Sequence, residues 1–359
     1  PTTQEQAVGL QALTQLASDP KTAGKSPTEV ETFLKSEMKS ALDYYGPQAK
    51  QYNLDYDPRA EIVGDNYDDY SQRNYGNNHY EGPDATHGTH VAGIIAGSPQ
   101  GKEVQYGVAS KVAKIMTVRA VPNGDERDKD VANAVRYAVD NGAKILNMSF
   151  GKPVSPGRKY VWDAFKYAQD KGVLLVKAAG NENEDVSANV YYPTNYQTAT
   201  DAAPFIKNMI VVGASTNDNE FLRAGFSNYN QKMVDIFAPG EKIYSTVPEG
   251  KYEYLQGTSM ASPVVAGGAA VLLAYMPNLT PEQVIESLVK TVNKSSVNAM
   301  INSNTNNRFD MISIAGGVMD LGKAAEYAYT NFYKPVKSTS AKPASTVKKP
   351  VAKKPVRKR

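Results

Sequence analysis

The sequence predicts an α/β protein with a mostly parallel central sheet flanked by helices. From His87 onward, short apolar runs typical of strands alternate with amphipathic helical patterns. This alternation indicates repeated strand-helix-strand units, which build parallel sheets covered by helices. With 41% apolar and 21% charged residues, the 359-residue chain has the composition of a globular protein with a large core. A functional site is expected at the carboxyl ends of the strands.

The N-terminal part, residues 1–58, is polar and is interpreted as a small helical appendage. Ser26 is a suitable helix N-cap, Pro27 suits the first helical position, and Glu29 can bond back to Ser26, so a helix is predicted to begin here. A short strand is predicted at Glu61-Ile62-Val63. The elements that follow are strands at 114–119, 143–148, 173–178, 209–213 and 234–237, and helices at 130–140 and 162–171.

Composition excludes several classes of site and of protein. The chain has no cysteine, which excludes disulfides, thiolate metal sites and a cysteine nucleophile. The apolar stretch at about 264–276 is shorter than the ~20 residues of a membrane span and contains two glycines, which favours a buried helix.

Charge is distributed unevenly along the chain. Residues 334–359 contain ten Lys or Arg and no acid, and the remainder has 30 basic against 37 acidic residues, a net charge of −7. This Lys- and Pro-rich tail cannot bury a core and is predicted to be disordered. Nucleic-acid binding is not predicted for the rest of the chain, because its net charge is negative.

The first motif is His87-Gly88-Thr89-His90, at the expected start of a helix. The His-x-x-His spacing could chelate a metal ion, but the glutamate that accompanies paired histidines in zinc-protease helices is missing. Two structural histidines are the other interpretation. No metal is predicted here.

The second motif runs from Gly257 to Pro263, Gly-Thr-Ser-Met-Ala-Ser-Pro. Gly257 permits a sharp entry, and Pro263 is tolerated only near the start of the helix that follows, so Ser259 is predicted at a helix N-terminus. Backbone N–H groups there favour a developing anion. Alternatively, Ser259 or Ser262 is only an N-cap.

The third motif, Lys177-Ala178-Ala179-Gly180-Asn181-Glu182-Asn183, comprises the end of a predicted strand and the loop after it. Asparagine at a strand end is commonly a turn residue. Its side-chain N–H can also donate to an oxyanion, and the small neighbours leave room for a substrate.

Together, the three motifs resemble those of the subtilisin-like serine proteases, the subtilases (peptidase family S8). The resemblance covers about residues 87–275, and residues 52–81 more loosely resemble larger bacterial subtilases with an insertion before the histidine. It implies a three-layer α/β/α fold in which 1–58 is a helical insertion, 59–333 a peptidase domain that is incomplete at its N-terminus, and 334–359 the tail.

The resemblance implies a serine endopeptidase that works through an acyl-enzyme. Ser259 would be the nucleophile, and His87 the general base that later returns the proton to the leaving amine. Asn181 and the backbone N–H of Ser259 would hold the oxyanion. The substrates would be polypeptides that bind in an extended conformation, as an added strand.

The resemblance also implies a substrate pocket between two backbone segments. Its residues would be Ser149, Phe150, Gly151, Ala178, Ala179, Gly180 and Tyr191. The bulk of Tyr191 would make this pocket shallow, unless it is an ordinary packed tyrosine. Asp125, Glu126 and Asp128 either face the substrate or form a solvated acidic loop.

One part of the family pattern is missing. Subtilases carry an aspartate before the histidine in an Asp-Ser-Gly or Asp-Thr-Gly setting, and no Asp-x-Gly precedes His87. Asp65 is the nearest imitation, and we interpret it as a turn residue. The triad aspartate is therefore predicted to lie upstream of this chain. Because loss of that group costs ~10⁴ in rate, the chain alone is predicted to be nearly inactive. A non-catalytic peptide-binding relative is the alternative.

No cofactor is expected. The loop at 98–103 lacks the Asn-rich pattern of the family's calcium loop, so no calcium is predicted there. The resemblance implies a bacterial protein that is secreted or held in the periplasm or cell envelope. A monomer is expected, and the basic tail is suited to contact anionic surfaces.

Overall fold

A computed structural model describes residues 14, 22, 24–51, 58–82, 84–99, 105–122, 124–301 and 307–333. The helices are α1 Pro27–Gln51, α2 Arg59–Ile62, α3 Thr86–Ala96, α4 Asp128–Asp140, α5 Arg158–Asp170, α6 Thr258–Tyr275, α7 Pro281–Lys290 and α8 Leu321–Asn331. The strands are β1 Ile145–Met148, β2 Leu174–Ala178, β3 Met209–Ser215, β4 Ile236–Pro239, β5 Ile243–Val247, β6 Lys251–Leu255, β7 Asn293–Lys294 and β8 Gly317–Val318.

Six strands form the main sheet, in the order β1-β2-β3-β4-β8-β7. Neighbours from β1 to β8 pair in parallel, and only β7 runs antiparallel to its neighbour among the described strands of this sheet. Every residue of β2 and β3 is buried, as expected for central parallel strands that are covered on both faces. β5 and β6 form a separate antiparallel hairpin.

Helices cover both faces of the sheet and create three layers. On one face, α4 and α5 contribute Val135 and Phe165 to a core that also contains Phe237 of β4. On the other face, α6, α7 and α8 pack over β3 and β4. α6 is long and apolar enough to cross a membrane, but most of it is buried inside the protein, which confirms the prediction of a buried core helix.

The predicted fold class, a mostly parallel sheet flanked by helices, is confirmed by this architecture. The strands expected at 143–148, 173–178 and 209–213 correspond to β1, β2 and β3, and the helices expected at 130–140 and 162–171 to α4 and α5. The strand expected at 234–237 begins two residues later, as β4.

The prediction of a strand at 114–119 is wrong, because these residues form no regular element. Ile115 and Met116 are 44% and 43% exposed rather than buried in a sheet. A strand requires a hydrogen-bonded neighbour. In the described part of the chain, β1 pairs with β2 on one edge and with no strand on the other. The sheet therefore ends at an open edge on β1.

The prediction of a strand at Glu61-Ile62-Val63 is also wrong, because α2 covers most of it. Ile62 is 61% exposed, so no buried face favours a strand here. Gly64 follows in the left-handed region, with φ +75°, and turns the chain away.

A buried ion cluster, formed by Arg59, Asp65, Lys129 and Asp130, attaches this segment to α4. Asp65 lies 2.6 Å from Arg59 Nε and 2.5 Å from Lys129 Nζ. Arg59 also bonds both carboxylate oxygens of Asp130, at 2.8 and 2.7 Å. The side chains of Asp65 and Lys129 are fully buried. The carboxylate of Asp65 is therefore committed to this cluster.

The predicted start of α1 is confirmed. The Ser26 N–H donates to Glu29 Oε2 at 2.8 Å, and the Glu29 N–H donates back to Ser26 Oγ at 3.4 Å. The division into domains at residues 58 and 333 stays a prediction. The tail at 334–359 lies outside the described residues, as does most of the loop at 98–103.

Candidate active site

Ser259 lies in the first turn of α6, as predicted, and Ser262 lies in the second, so neither is its N-cap. Gly257 precedes the helix at φ +147°, a conformation that favours glycine, and the chain turns sharply into α6 there. Pro263 lies within the helix and has no N–H to donate to the carbonyl of Ser259, four residues earlier. That carbonyl instead accepts a hydrogen bond from Ser149 Oγ at 2.8 Å.

A short chain of hydrogen bonds joins the first turns of α6 to the end of β1. Ser259 Oγ donates to the carbonyl oxygen of Ser149 at 3.1 Å. Ser262 Oγ donates to Asn147 Oδ1 at 2.7 Å, and Asn147 Nδ2 donates to Ser149 Oγ at 2.9 Å. The hydroxyl of Ser259 is thereby held at a helix N-terminus, where backbone N–H groups favour negative charge on oxygen.

Asn181 lies just after β2 and is exposed. Its Oδ1 accepts hydrogen bonds from the Thr258 N–H at 2.8 Å and from Thr258 Oγ1 at 3.0 Å. Since Oδ1 is occupied, Nδ2 is the end of the carboxamide that can donate to a ligand. Nδ2 lies 3.4 Å from where a Cβ on Gly257 would be. Asn181 therefore belongs to the same turn as Ser259, rather than to an isolated loop.

His87 lies in the first turn of α3, and α3 packs against α6. Partial desolvation of the ring and the neighbouring His90 lower the pKa of His87 below its usual value, whereas the charge of Asp84 raises it. Within the described residues, no hydrogen bond joins His87 to Ser259. The structure thus brings Ser259, Asn181 and Ser149 together and places His87 on an adjacent helix.

His90 is a structural residue, the second interpretation of the His-x-x-His motif. It is fully buried, and its Nε2 lies 3.1 Å from the carbonyl oxygens of both Ile243 and Glu253. Because both partners are acceptors, Nε2 carries the hydrogen and attaches the β5–β6 hairpin to α3. In the described ranges, no cluster of three or more His, Asp or Glu side chains is placed to hold a metal ion.

The two predicted pocket walls lie on either side of the Tyr191 ring. The ring leaves no space for a Cβ on Gly151, and a Cβ on Gly180 would lie 3.0 Å from ring Cδ1. Phe150 is half-buried against the same core cluster as Tyr191, while Ala178 and Ala179 are buried in or beside β2. The Tyr191 ring therefore packs closely against both segments.

A buried lysine beside Tyr191, Lys177, was not singled out in the sequence analysis. Lys177 is 2% exposed, and its Nζ donates to the carbonyl oxygen of Tyr191 at 3.2 Å and lies 4.8 Å from the ring centroid. Burial lowers the pKa of Lys177 to about 7. The available signal was a single lysine in the otherwise apolar run of β2.

The interpretation of a solvated acidic loop is wrong for two of its three residues. Glu126 and Asp128 are 3% and 2% exposed, whereas Asp125 is exposed. Asp128 accepts hydrogen bonds from Ser155 Oγ at 2.7 Å and lies 3.0 Å from Lys152 Nζ. Burial raises the pKa of Glu126 to about 7. These partners come from residues distant in sequence, so the sequence did not reveal them.

The Subtilase family (peptidase S8) model matches residues 35–311. The chain is 40% identical over 187 residues to thermitase of Thermoactinomyces vulgaris, a match that covers 52% of this chain and 60% of thermitase. It is 39% identical over 202 residues to a thermophilic serine proteinase of Bacillus sp. (strain AK1), a match that covers 56% of this chain and 46% of that protein.

A solved structure of a cold-adapted subtilisin-like serine proteinase superposes with a TM-score of 0.51 at 33% identity. The superposition covers 64% of this chain and 74% of that structure. The chain thus spans about half the length of the two curated relatives. The matched family model covers more than half of this chain and includes all three motifs. The chain belongs to the subtilase family.

Proposed function

We propose that this chain is the catalytic part of a serine endopeptidase. The observation that carries the proposal is the position of Ser259 in the first turn of α6, with the carboxamide of Asn181 held against the same turn by Thr258. The proposed nucleophile and the proposed oxyanion donor come from different elements but are joined by these hydrogen bonds at one helix turn, an arrangement that suits acyl transfer.

In the proposed reaction, Ser259 Oγ attacks the carbonyl carbon of the scissile peptide bond. His87 takes the hydroxyl proton, and the oxyanion accepts hydrogen bonds from Asn181 Nδ2 and the Ser259 N–H. The C–N bond then breaks as His87 gives its proton to the leaving amine. Water hydrolyses the acyl-enzyme with His87 again as base. A hydrogen bond from Ser259 to His87 would replace the present bond to the Ser149 carbonyl.

The third member of the triad is proposed to be an aspartate upstream of this chain, on a strand that pairs with the open edge of β1. Two observations support this. β1 has a free edge in the described part of the chain, and residues 114–119 have a strand-like sequence but form no strand. Asp65 is not a candidate, because Arg59 and Lys129 hold its carboxylate in the ion cluster.

A fluorophosphonate that phosphonylates activated serines tests the proposed function. In the full-length protein, peptide mass mapping is expected to find the label on Ser259, and Ser259→Ala should remove it. Ser71→Ala is the control and should keep the label, since the hydroxyl of Ser71 is exposed and bonds Asp69. The alternative function is a non-catalytic protein that binds extended peptides in the same cleft. Peptide binding without any label on Ser259 would favour that alternative.

Tyr191 is proposed to restrict the pocket to small substrate side chains, because its ring occupies the space between Gly151 and Gly180. Tyr191→Ala is expected to raise the kcat/KM ratio of a Phe-containing over an Ala-containing peptide by about 10–100-fold. Matched chromogenic peptides that differ only at the residue before the cleaved bond measure the ratio. Tyr192→Ala serves as a control. An unchanged ratio for Tyr191→Ala would show that the ring does not line the substrate pocket.

The location of the protein outside the cytoplasm is likewise proposed from family membership, and so is its action as a monomer on extended polypeptides. The basic residues at 334–359 are proposed to attach it to anionic surfaces. Binding to anionic vesicles or cell-wall polymer is expected to weaken steeply with salt. Removal of the chain after Tyr333 should abolish this binding, and binding that survives the truncation would contradict the proposal.

A further inference from the structure

The loop that carries Asn181 has an irregular backbone conformation. Gly180 and Asn183, on either side of Asn181 and Glu182, both have positive φ, +109° and +58°. Glycine and asparagine tolerate several backbone conformations, so the hydrogen bonds around the loop decide which one it takes. α6 supplies part of the restraint, because the Gly180 N–H donates to Thr258 Oγ1 at 3.1 Å. On the other side, backbone bonds to residues 226 and 229 and one buried side chain supply the rest.

That side chain is Asn228, which is 1% exposed. Its Nδ2 donates to the carbonyl oxygen of Ala179 at 3.1 Å and to Glu182 Oε2 at 2.6 Å. Its Oδ1 accepts from the N–H groups of Glu182 at 3.1 Å and Glu184 at 2.9 Å. A carboxamide can donate two hydrogen bonds and accept two, so its whole capacity is used on this loop.

The backbone of Asn228 adds a fifth bond, from its N–H to the carbonyl oxygen of Gly180 at 3.0 Å. The bonds therefore fall on both sides of Asn181, at Ala179 and Gly180 before it and at Glu182 and Glu184 after it. Asn228 itself is anchored, because the adjacent Ser227 Oγ accepts from the Ala214 N–H of β3 at 2.9 Å. The loop is thus attached to the segment that follows β3, through Asn228 and through backbone bonds from the Asn183 N–H to Phe226 and from the Tyr229 N–H to Glu184.

We propose that Asn228 is a positioning residue for the oxyanion donor. It holds the loop so that Thr258 can bind Oδ1 of Asn181 and leave Nδ2 directed at the reacting carbonyl. Asn228 does not touch the substrate and acts only through Asn181. The inference rests on the proposed function, since it assigns a role within the same site.

A double-mutant cycle in the full-length protein tests this role. Asn181→Ala is expected to lower kcat by ~10²–10³. Asn228→Ala is expected to lower kcat by about 10-fold or more with little change in KM. A misplaced donor stabilises the transition state less well, whereas binding of the substrate in its ground state is unaffected. In the Asn181→Ala background, Asn228→Ala should have almost no further effect on kcat. The affinity of a peptide aldehyde, which forms a tetrahedral adduct, should follow kcat.

Asn230→Ala is the matched control. Asn230 lies two residues away and bonds Asp185 and its own turn, but not the loop at 179–184. It should leave kcat unchanged. Asn228→Asp keeps both acceptor bonds but places a carboxylate oxygen against Glu182 Oε2 and the carbonyl oxygen of Ala179, so it should lose at least as much activity as Asn228→Ala. Asn228→Ser replaces Asn228→Ala in the cycle if that variant does not fold.

Independent, multiplicative losses in kcat from the two substitutions would overturn the inference. A general structural effect of Asn228 would lower kcat whether or not Asn181 is present. So would an unchanged kcat in Asn228→Ala. If the unmutated protein shows no label on Ser259 and no turnover, the proposed function itself has failed and the inference falls with it. If the unmutated protein is labelled and active but the two losses in kcat are independent, only the role of Asn228 is rejected.

Discussion

A longer chain that supplies an aspartate-bearing strand at the open edge of β1 is expected to hydrolyse peptides about 10⁴-fold faster than the 359-residue chain. Without that carboxylate, nothing fixes the tautomer of His87 or stabilises its protonated form during the reaction. The charge of Asp84 raises the pKa of His87, but Asp84 Oδ1 already accepts a hydrogen bond from the Thr86 N–H at 2.8 Å. Hydrolysis of a chromogenic peptide by the two chains measures the difference.

The longer chain with its aspartate changed to asparagine is the matched control. Completion of the sheet should still stabilise this variant, because the added strand would bury apolar side chains such as Ile115 and Met116. Its rate should nevertheless remain near that of the short chain. If the 359-residue chain is fully active, the proposal of an upstream aspartate is wrong, and the group that orients His87 lies within this chain.

Asp65→Ala is expected to destabilise the protein by about 3–5 kcal/mol. The substitution leaves the ammonium of Lys129, whose side chain is fully buried, without its carboxylate partner. Arg59 keeps Asp130 as a second partner, so the uncompensated charge is that of Lys129. Urea unfolding followed by tryptophan fluorescence and circular dichroism measures the change. Release of the segment at 58–82 from α4 should also increase its cleavage by an added protease.

Glu249→Ala is the control for Asp65→Ala, since Glu249 pairs with Lys251 on an exposed hairpin and its loss should have no measurable effect. The double variant Asp65→Leu with Lys129→Met should regain much of the lost stability, because it removes both buried charges. A loss of less than about 1 kcal/mol in Asp65→Ala would mean that Lys129 is solvated or finds another partner.

The same cluster predicts a loss of stability in acid. Burial alone would raise the pKa of Asp65, but hydrogen bonds from Arg59 and Lys129 lower it below its usual value. A carboxylate with a depressed pKa in the folded state contributes stability above its unfolded pKa of ~3.9, and this contribution disappears as pH falls through the folded value. The pH dependence of unfolding in Asp65→Asn should lack this component.

The alternation of strands and helices allowed most of the fold to be predicted, because burial imposes a local pattern on β2, β3, α4 and α5. Prediction from this pattern failed where the structure of a segment depends on a neighbouring strand or a buried face. Residues 114–119 have the composition of a strand, but a strand forms only against a partner, and none is available in the described part of the chain. Glu61-Ile62-Val63 lacks a buried face and became part of a helix.

For the site, the local sequence predicted that Ser259 lies at the start of a helix and that Asn181 follows a strand, and the resemblance to subtilases assigned their roles. The local sequence was insufficient for Glu126, Asp128 and Lys177, whose burial depends on partners from other segments. The sequence of this acidic loop does not reveal whether its carboxylates are solvated or, as for Asp128, paired with Lys152.

The sequence alone thus determined the fold class, the helix that presents Ser259 and the absence of thiol chemistry, since these depend on residue types and on periodicity along the chain. Only the tertiary structure decided which edge of the described sheet is open, that the Tyr191 ring packs against Gly151 and Gly180, and that Asn228 bonds the loop of Asn181. These features arise from contacts between residues far apart in the chain, and short-range patterns carry no information about such contacts.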